Sequence, residues 1–477
     1  MLQVALSFVK GLGVLPDWPE WALDVLIIMT GLLTTTLVLT SLYTPADEQD
    51  DKKDAIKTSG GKSAKQLHNE FNSFRQKYIM VHLVIMLADW MQGTHMYTLY
   101  LSYNVNVSAL FLTGFFSGAL FAPFLGSAVD KFGRKRSCII YCVLEIIINV
   151  MEHYTNFTVL LIGRVLGGIS TNLLFSAFES WMTTEHRRRG YPEEWLQRIY
   201  SEMSIGNGAM AILAGIVAQV LEDYFGHIGP FQGAIALTFL ALLLVLGWEE
   251  NYGEEQKGDH NTSTLYSQFM DGWRTTINDS RIWRIGLTQA LSEGAMYTFV
   301  FMWVPTLLSM EPPGGVPTGC VFSAMMMAIT MGGLVFPPLE SFVKKFSATK
   351  AFEVSAMFVY FLASVSMAVP ALCFNYAGAG ADSCFTSIVV SFMVIEFCVG
   401  LFMPVAGTLR SKYVPDAKQG AILNIFRLPL NAIVVGGTYA TDVLEPAHVF
   451  ILVSACFMGA SLIQVSMLFG KAKVKSA

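Results

Sequence analysis

The sequence predicts an all-α membrane protein with twelve core transmembrane helices in two sets of six, preceded by one extra N-terminal transmembrane helix. Composition points there first: only 14% of the 477 residues are charged and 53% are hydrophobic. A soluble domain carries roughly 25% charged residues, so most of this surface has to face lipid. Apolar runs long enough to span a bilayer lie near 21–43, 79–103, 107–129, 137–151, 157–181, 201–222, 228–247, 282–310, 318–339, 350–370, 384–408, 419–441 and 448–469. The third observation is an alternation of basic residues along that ladder. Connections on one side hold Lys131, Arg134, Lys135 and Arg136; Arg187, Arg188 and Arg189; Arg274 and Arg281; Lys344, Lys345 and Lys350; Arg410, Lys412 and Lys418. The alternate connections, near 104–106, 152–156, 223–230, 311–317, 371–383 and 442–447, hold no lysine or arginine.

The positive-inside rule then puts the N- and C-termini of the core in the cytoplasm. The segment order is an extra helix over 1–43, a cytoplasmic linker over 44–78 and a six-helix bundle over 79–248. A central cytoplasmic loop over 249–281 follows, then a second six-helix bundle over 282–470 and a tail over 471–477. The part 44–65 of the linker is rich in Asp, Lys, Gly and Ser, as a mobile tether is. The central loop holds a short interfacial helix near Leu265–Thr276, and the short run 137–151 is expected to extend through Tyr154. The first apolar run is too long for a signal-peptide core and has no basic region beside it, so it is expected to stay as an anchor starting outside. No address is visible; the plasma membrane is the expected host, an internal membrane the alternative. Seven cysteines show no metal-ligand spacing. Cys373 and Cys384 flank an outer loop, where a disulfide and two free thiols both stay open. Asn106-Val-Ser and Asn156-Phe-Thr are glycosylation sequons on the outer side.

The connection Gly126-Ser-Ala-Val-Asp130-Lys-Phe-Gly133-Arg134-Lys135-Arg136 joins two apolar runs with glycine and charge. It resembles the signature of the loop between helices 2 and 3 in the major facilitator superfamily. The resemblance implies the major facilitator fold and gives Gly126, Asp130, Gly133 and Arg134 the role of a cytoplasmic conformational latch. In that fold the two halves are parallel repeats. Met96-Tyr97-Thr98 does recur as Met296-Tyr297-Thr298, while the second copy of the loop, near Pro338–Thr349, has lost its pattern. The resemblance further implies that helices 1, 4, 7 and 10 of the core line a cavity.

An ionisable group at bilayer depth costs on the order of 3 kcal/mol, so it faces the bundle interior and is a functional candidate. Arg164 and Arg427 lie inside apolar runs, one per half. Guanidinium grips oxyanions through paired donors, so two arginines suit a divalent anion. Alternatively each is neutralised by an acid within its bundle. Gln92, Asn172, Asn207 and Asn424 are candidate neutral ligands or helix locks. Asp89, Glu293 and Glu396 are candidate proton-coupling acids, with permanent pairing to the arginines as the alternative. Glu145 and Glu353 are expected to be structural. Glu179, near the cytoplasmic mouth, is a candidate gate to the basic loop Glu185–Arg189.

Several blocks together resemble the molybdate-anion transporter family: Ala88-Asp-Trp-Met-Gln92, Gly163-Arg-Val-Leu-Gly-Gly-Ile-Ser-Thr171 and Leu174-Phe-Ser-Ala-Phe-Glu-Ser-Trp181 with Glu185-His186. Trp248-Glu-Glu-Asn-Tyr252 and Leu423-Asn-Ile-Phe-Arg-Leu-Pro429 complete the set. The resemblance runs over most of 78–470 and implies import of molybdate, a tetrahedral dianion, by alternating access. With two or more protons moving alongside, importing a dianion does no work against the membrane potential. A carrier of a neutral or organic solute, or a non-transporting sensor, is the alternative. No nucleophile, metal cluster or phosphate-binding loop suggests an enzyme or an ATP-driven pump. No cofactor, metal or nucleic-acid partner is expected, only the anion, protons and lipid.

Overall fold

A computed structural model describes residues 18–43, 64–252, 265–347, 349–377, 382–415 and 419–469, and every regular element among them is helical. The helices are α1 (Glu20–Tyr43), α2 (Ala64–Ser102), α3 (Val107–Phe132), α4 (Arg134–Met151), α5 (Phe157–Arg188), α6 (Glu193–Phe225) and α7 (Gly229–Leu246). They continue as α8 (Leu265–Asn278), α9 (Ser280–Ser309), α10 (Thr318–Phe346), α11 (Ala351–Leu372), α12 (Asp382–Tyr413), α13 (Gln419–Val443) and α14 (Pro446–Leu468), with a π-helical turn at Cys373–Ala377. Eight of them, α1, α5, α6, α7, α10, α11, α12 and α14, are long and apolar enough to cross a membrane. Of the other long helices, α2, α9 and α13 carry the polar residues of interest: Asp89, Gln92 and His95, then Gln289 and Glu293, then Asn424 and Arg427.

The helix boundaries follow local chemistry. Asn106 and Asn156, the two sequon asparagines, are N-caps: each side-chain oxygen accepts backbone N–H bonds, from Ala109 at 2.9 Å and from Thr158 at 2.9 Å respectively. Asp279 caps α9 through the Arg281 N–H, and its hydrogen bonds to the Arg281 side chain hold its carboxyl below the usual carboxylate range. Two expectations need correction. The helix beginning the core starts at Ala64, so the last part of the expected linker is helical. Its added turns are amphipathic, and Phe71, Phe74 and Tyr78 bury themselves with Trp181, Tyr191 and Leu196. Conversely α4 stops at Met151 rather than Tyr154, with Glu152 as its C-cap. The structure of 44–63, 253–264 and 470–477 lies outside the described residues.

The chain divides into two compact units. Residues 45–258, with 1–18 and 317–323, form the first; residues 19–44, 259–316 and 324–477 form the second. In the first, α2 packs on α6 and α7, and α5 packs on α3 and α4. At the α3–α5 crossing a Cβ on Gly168 would lie 2.4 Å from the Gly118 nitrogen, so only glycine permits it. In the second unit α9 packs on α13 and α14, and α11 on α12 and α14. Phe426 and Ile433 of α13 sit against Gly286 and Gly294 of α9, around buried Ala290, Leu430 and Val434. Helix α1 belongs to this unit, with Trp21 edge-on to Phe385 at 4.8 Å. Its threonines 30, 34, 35 and 36 each donate to the carbonyl four residues back, so none of these hydroxyls is left for hydrocarbon to strand.

The signature loop is held by a partner that the motif does not contain. Gly133 adopts φ +106° and separates α3 from α4 by a single residue. The Glu250 carboxylate then accepts the backbone N–H groups of Lys135 at 2.8 Å and Arg136 at 3.1 Å, capping α4 where its dipole is positive. Arg134 donates its backbone N–H to Asn251 O at 3.0 Å and its guanidinium to Thr184. Asn251 in turn binds the Trp181 carbonyl at 3.1 Å, and Trp181 stacks on Trp248 at 3.8 Å. The Asp130 side chain lies outside the described residues, and Gly126 sits within α3. A Cβ on Gly133 would meet Glu250 Cδ at 2.8 Å and would have to occupy a backbone region nearly confined to glycine. Gly133→Ala is therefore expected to destabilise by about 1–3 kcal/mol, read as a lower apparent Tm in detergent. Gly31→Ala, where no atom lies within 4 Å, should leave Tm unchanged or slightly raised; equal Tm for the two variants would overturn the account.

Candidate functional site

The second unit gathers a cluster of charge. On α9 the four-residue spacing puts Gln289, Glu293 and Tyr297 on one face. Arg410, three residues before the end of α12, brings Nη1 to 3.8 Å from Glu293 Oε1. Gln289 also hydrogen-bonds Glu293, which leaves its own side-chain oxygen buried without a partner. Arg427 of α13 lies close enough to act electrostatically on both Glu293 and Tyr297. It is exposed and has no hydrogen bond or ion pair among the described residues. Two guanidinium groups against one carboxylate leave an excess positive charge, and the Arg427 donors stay open for an oxyanion. Asn424, one turn before Arg427, has a side chain outside the described residues. Glu396, on α12, is 3% exposed and has no cation or donor beside it among them.

The first unit offers a different surface. A cavity of about 290 Å³ is lined by Tyr78, His82, Asp89, Trp90, Glu179 and Asn207, with apolar side chains between them. Asp89 is half-buried and has no hydrogen-bond or ion-pair partner among the described residues. Asn207 accepts the Trp90 indole N–H at 2.9 Å. Glu179 takes the Tyr200 hydroxyl at 3.0 Å, not the basic loop expected of a gate. Among the described residues no arginine or lysine lines this cavity.

Other expected ligands prove to be engaged inside the first unit. Arg164 pairs with Glu152 at 2.8 Å, touches Met96 Sδ at 2.9 Å and lies 5.9 Å from the Tyr100 ring. Tyr100 also donates to Glu152 at 2.9 Å, which completes a buried ion pair. Of the two readings for Arg164, neutralisation by an acid is the one the geometry matches. Gln92 donates to Glu145 at 3.1 Å, and Ser170 does so at 2.6 Å. Asn172 gives both amide hydrogens to the Gly118 and Gly168 carbonyls at 2.8 Å, locking α3 to α5. Glu353 is held by Lys412 at 2.7 Å and by Tyr413. Cys373 and Cys384 are both free thiols.

Three residues escaped sequence reasoning. Glu152 was assigned to a loop, although the absence of lysine and arginine around it left Arg164 as a natural partner. Arg410 was grouped with the cytoplasmic basic residues, yet α12 continues through Pro404 and past Arg410 to Tyr413. Glu250 sat in a recognised block without a role. Removing one member of a buried ion pair strands the other, at about 3–5 kcal/mol. Arg164→Met is expected to cost about that much by thermal unfolding in detergent, and Arg164→Met with Glu152→Leu to recover most of it. A single variant with unchanged Tm and lost transport would instead place Arg164 on the substrate.

A family profile of the major facilitator superfamily, described as sugar transporters with 12 TM, matches residues 54–397. The molybdate-anion transporter of Xenopus tropicalis is 31% identical over 373 residues, which span 76% of this chain and 77% of that one. The molybdate-anion transporter of Danio rerio is 28% identical over 394 residues, 78% of this chain and 79% of that one. Among solved structures, the nucleoside transporter NupG shares the fold with a TM-score of 0.62 at 14% identity, covering 83% of this chain and 100% of its own. The POT family transporter PepTSo does so with a TM-score of 0.63 at 11% identity, covering 83% and 97%. At such identities the likeness speaks for the fold and leaves the cargo open. The profile and the relatives carry the family: the chain is a membrane transporter and belongs to the molybdate-anion transporter family of the major facilitator superfamily.

Proposed function

We propose that the chain imports molybdate or a related tetrahedral oxyanion by alternating access, coupled to protons. The observation that carries this reading is Arg427, whose guanidinium is unpartnered among the described residues and stands near the Arg410–Glu293 pair. A neutral cargo such as a sugar needs no such excess, and a membrane bundle tolerates an unneutralised arginine poorly. Arg164 marks the contrast, since its charge is answered by Glu152. The names of the relatives favour molybdate within the class of tetrahedral dianions. Arg427, Arg410 and Gln289 are the binding groups of this reading, and Asn424 is a candidate beside them.

In the bilayer, α2–α7 and α9–α14 form the two sets of six, α8 lies at the cytoplasmic interface and α1 is the extra span. The basic connections support core termini in the cytoplasm and an α1 that starts outside, with the plasma membrane as the host of this reading. A dianion moving inward meets about 2.3 kcal/mol per charge for every 100 mV of negative interior, which two protons cancel. Asp89, Glu293 and Glu396 are the acids that could carry them. Each is a carboxyl within a long helix, and among the described residues only Glu293 has a cation at close range. The Gly133–Glu250 clasp is the latch of the cycle.

Radiolabelled molybdate uptake into proteoliposomes, with and without an inward proton gradient and with sulfate as competitor, tests the reading. Gradient-stimulated uptake supports it; no uptake in either condition favours a neutral solute or a sensor. A charge-assisted hydrogen bond contributes about 1.5–3 kcal/mol, so Arg427→Gln should weaken molybdate binding about 10- to 100-fold. Arg427→Lys, which keeps the charge and loses the fork, should fall between. Uptake indifferent to both substitutions would remove Arg427 from the site.

A further inference from the structure

Resting on the anion reading, we propose that the oxyanion and the Glu293 carboxylate compete for the same arginines, so that each dianion bound transfers one proton onto Glu293. The Arg410–Glu293 contact of 3.8 Å is an electrostatic pairing rather than a tight charge-assisted hydrogen bond, which runs about 2.7–2.9 Å. Arg410 is thus not committed to the carboxylate, and an anion with several acceptor oxygens can take its donors. Arg427 acts on the same carboxylate from α13 and has free donors among the described residues. The open Gln289 oxygen, buried one turn before Glu293, can accept a proton-bearing carboxyl group as a donor, which an ionised carboxylate could never be.

Charge counting gives the direction. With Glu293 ionised, the empty cluster of Arg410, Arg427 and Glu293 carries one positive charge. A dianion would leave it with one negative charge in a water-poor bundle, and a proton on Glu293 returns it to zero. The step is a carboxylate plus a proton giving a carboxylic acid; no bond within the oxyanion forms or breaks. The groups facing Glu293 are Arg410 from α12, Arg427 from α13, Tyr360 from α11 and, on its own helix, Gln289 and Tyr297. Neither α14 nor α8 contributes a charged partner to it among the described residues. Arg410 is accordingly assigned as a second anion-binding residue, and Glu293 as the group that makes binding depend on protons.

Calorimetric titration of the purified full-length protein with sodium molybdate, in buffers of different ionisation enthalpy between pH 6 and 8.5, tests this. The wild type should take up about one proton per anion, its Kd rising about tenfold per pH unit above the titration of Glu293. Glu293→Gln should bind with no Glu293-dependent proton uptake and a Kd flat with pH, near the low-pH value of the wild type. Glu293→Asp, which keeps an ionisable group, should restore the uptake. Tm for each variant checks that it is folded. Proton uptake persisting in Glu293→Gln, or wild-type binding that takes up none, overturns the competition while leaving the anion reading intact. No binding of molybdate by the wild type overturns both.

Discussion

A charge buried in a helical bundle must meet an opposite charge, a set of donors or a ligand, because hydrocarbon supplies none of these. That constraint sorts the ionisable groups of this chain. Arg164 meets Glu152, Glu145 meets Gln92 and Ser170, and Glu353 meets Lys412 and Tyr413. Such pairs fix helix positions. Arg427, Asp89 and Glu396 are left without a hydrogen-bond or ion-pair partner among the described residues, and Glu293 has Gln289 beside it and a long contact to Arg410. The functional reading grows from these unanswered charges, since a group already satisfied gains little from a passing ion.

The same helix pair carries different chemistry in the two units. Helix α2 packs on α6 in the first, and α9 packs on α13 in the second. The repeated Met-Tyr-Thr aligns α2 with α9 and puts Asp89 opposite Gln289 and Gly93 opposite Glu293 in the alignment. In the first unit this seam joins Trp90 to Asn207 by a neutral hydrogen bond. In the second it brings Arg427 toward Glu293. The two seams share their packing, in which small residues admit the neighbouring helix, while their polar positions differ. A carrier gains from that asymmetry, because a cation cluster in one half leaves the other free to handle a different ion.

Helices were legible because hydropathy and capping act locally. Most boundaries fall within a few residues of the apolar runs, and α8 follows the short helix expected in the central loop. The first turns of α2 were hidden, since Ala64–Lys77 is too polar for a span and its aromatic face finds its partners on α5 and α6. Site residues were legible by type and illegible by partner. Arg164 and Arg427 look alike in sequence, one arginine per half in an apolar run. What separates them is Glu152, the C-cap of the preceding helix α4, which the packing of α4 on α5 brings to Arg164. Arg410 was masked by its basic neighbour Lys412, although α12 carries the two to different partners, Glu293 and Glu353.

The block Leu174–Trp181 with Glu185-His186 gathers at the end of the first unit where α3 meets α4. Trp181 donates to the Glu249 carbonyl at 2.8 Å, and Glu185, fully buried, takes Arg188 at 3.1 Å and Arg189 at 2.7 Å. His186 reaches the Pro192 carbonyl at 2.9 Å, and Glu249 answers Arg188. These contacts fix the segment carrying Glu250, and Glu250 caps the helix that the signature loop begins. The loop, the Phe-Glu-Ser-Trp block and the Trp-Glu-Glu-Asn block are therefore one assembly read three times in the sequence. Its groups bind mainly one another, which suits a clasp that holds a conformation. In the second unit, Glu353 joins α11 to α12 through Lys412 and Tyr413 instead. A side-chain bridge of that kind leaves helix N-termini uncapped by it, so the decayed loop near Pro338–Thr349 need not keep its glycine and aspartate for the end of that unit to be tied.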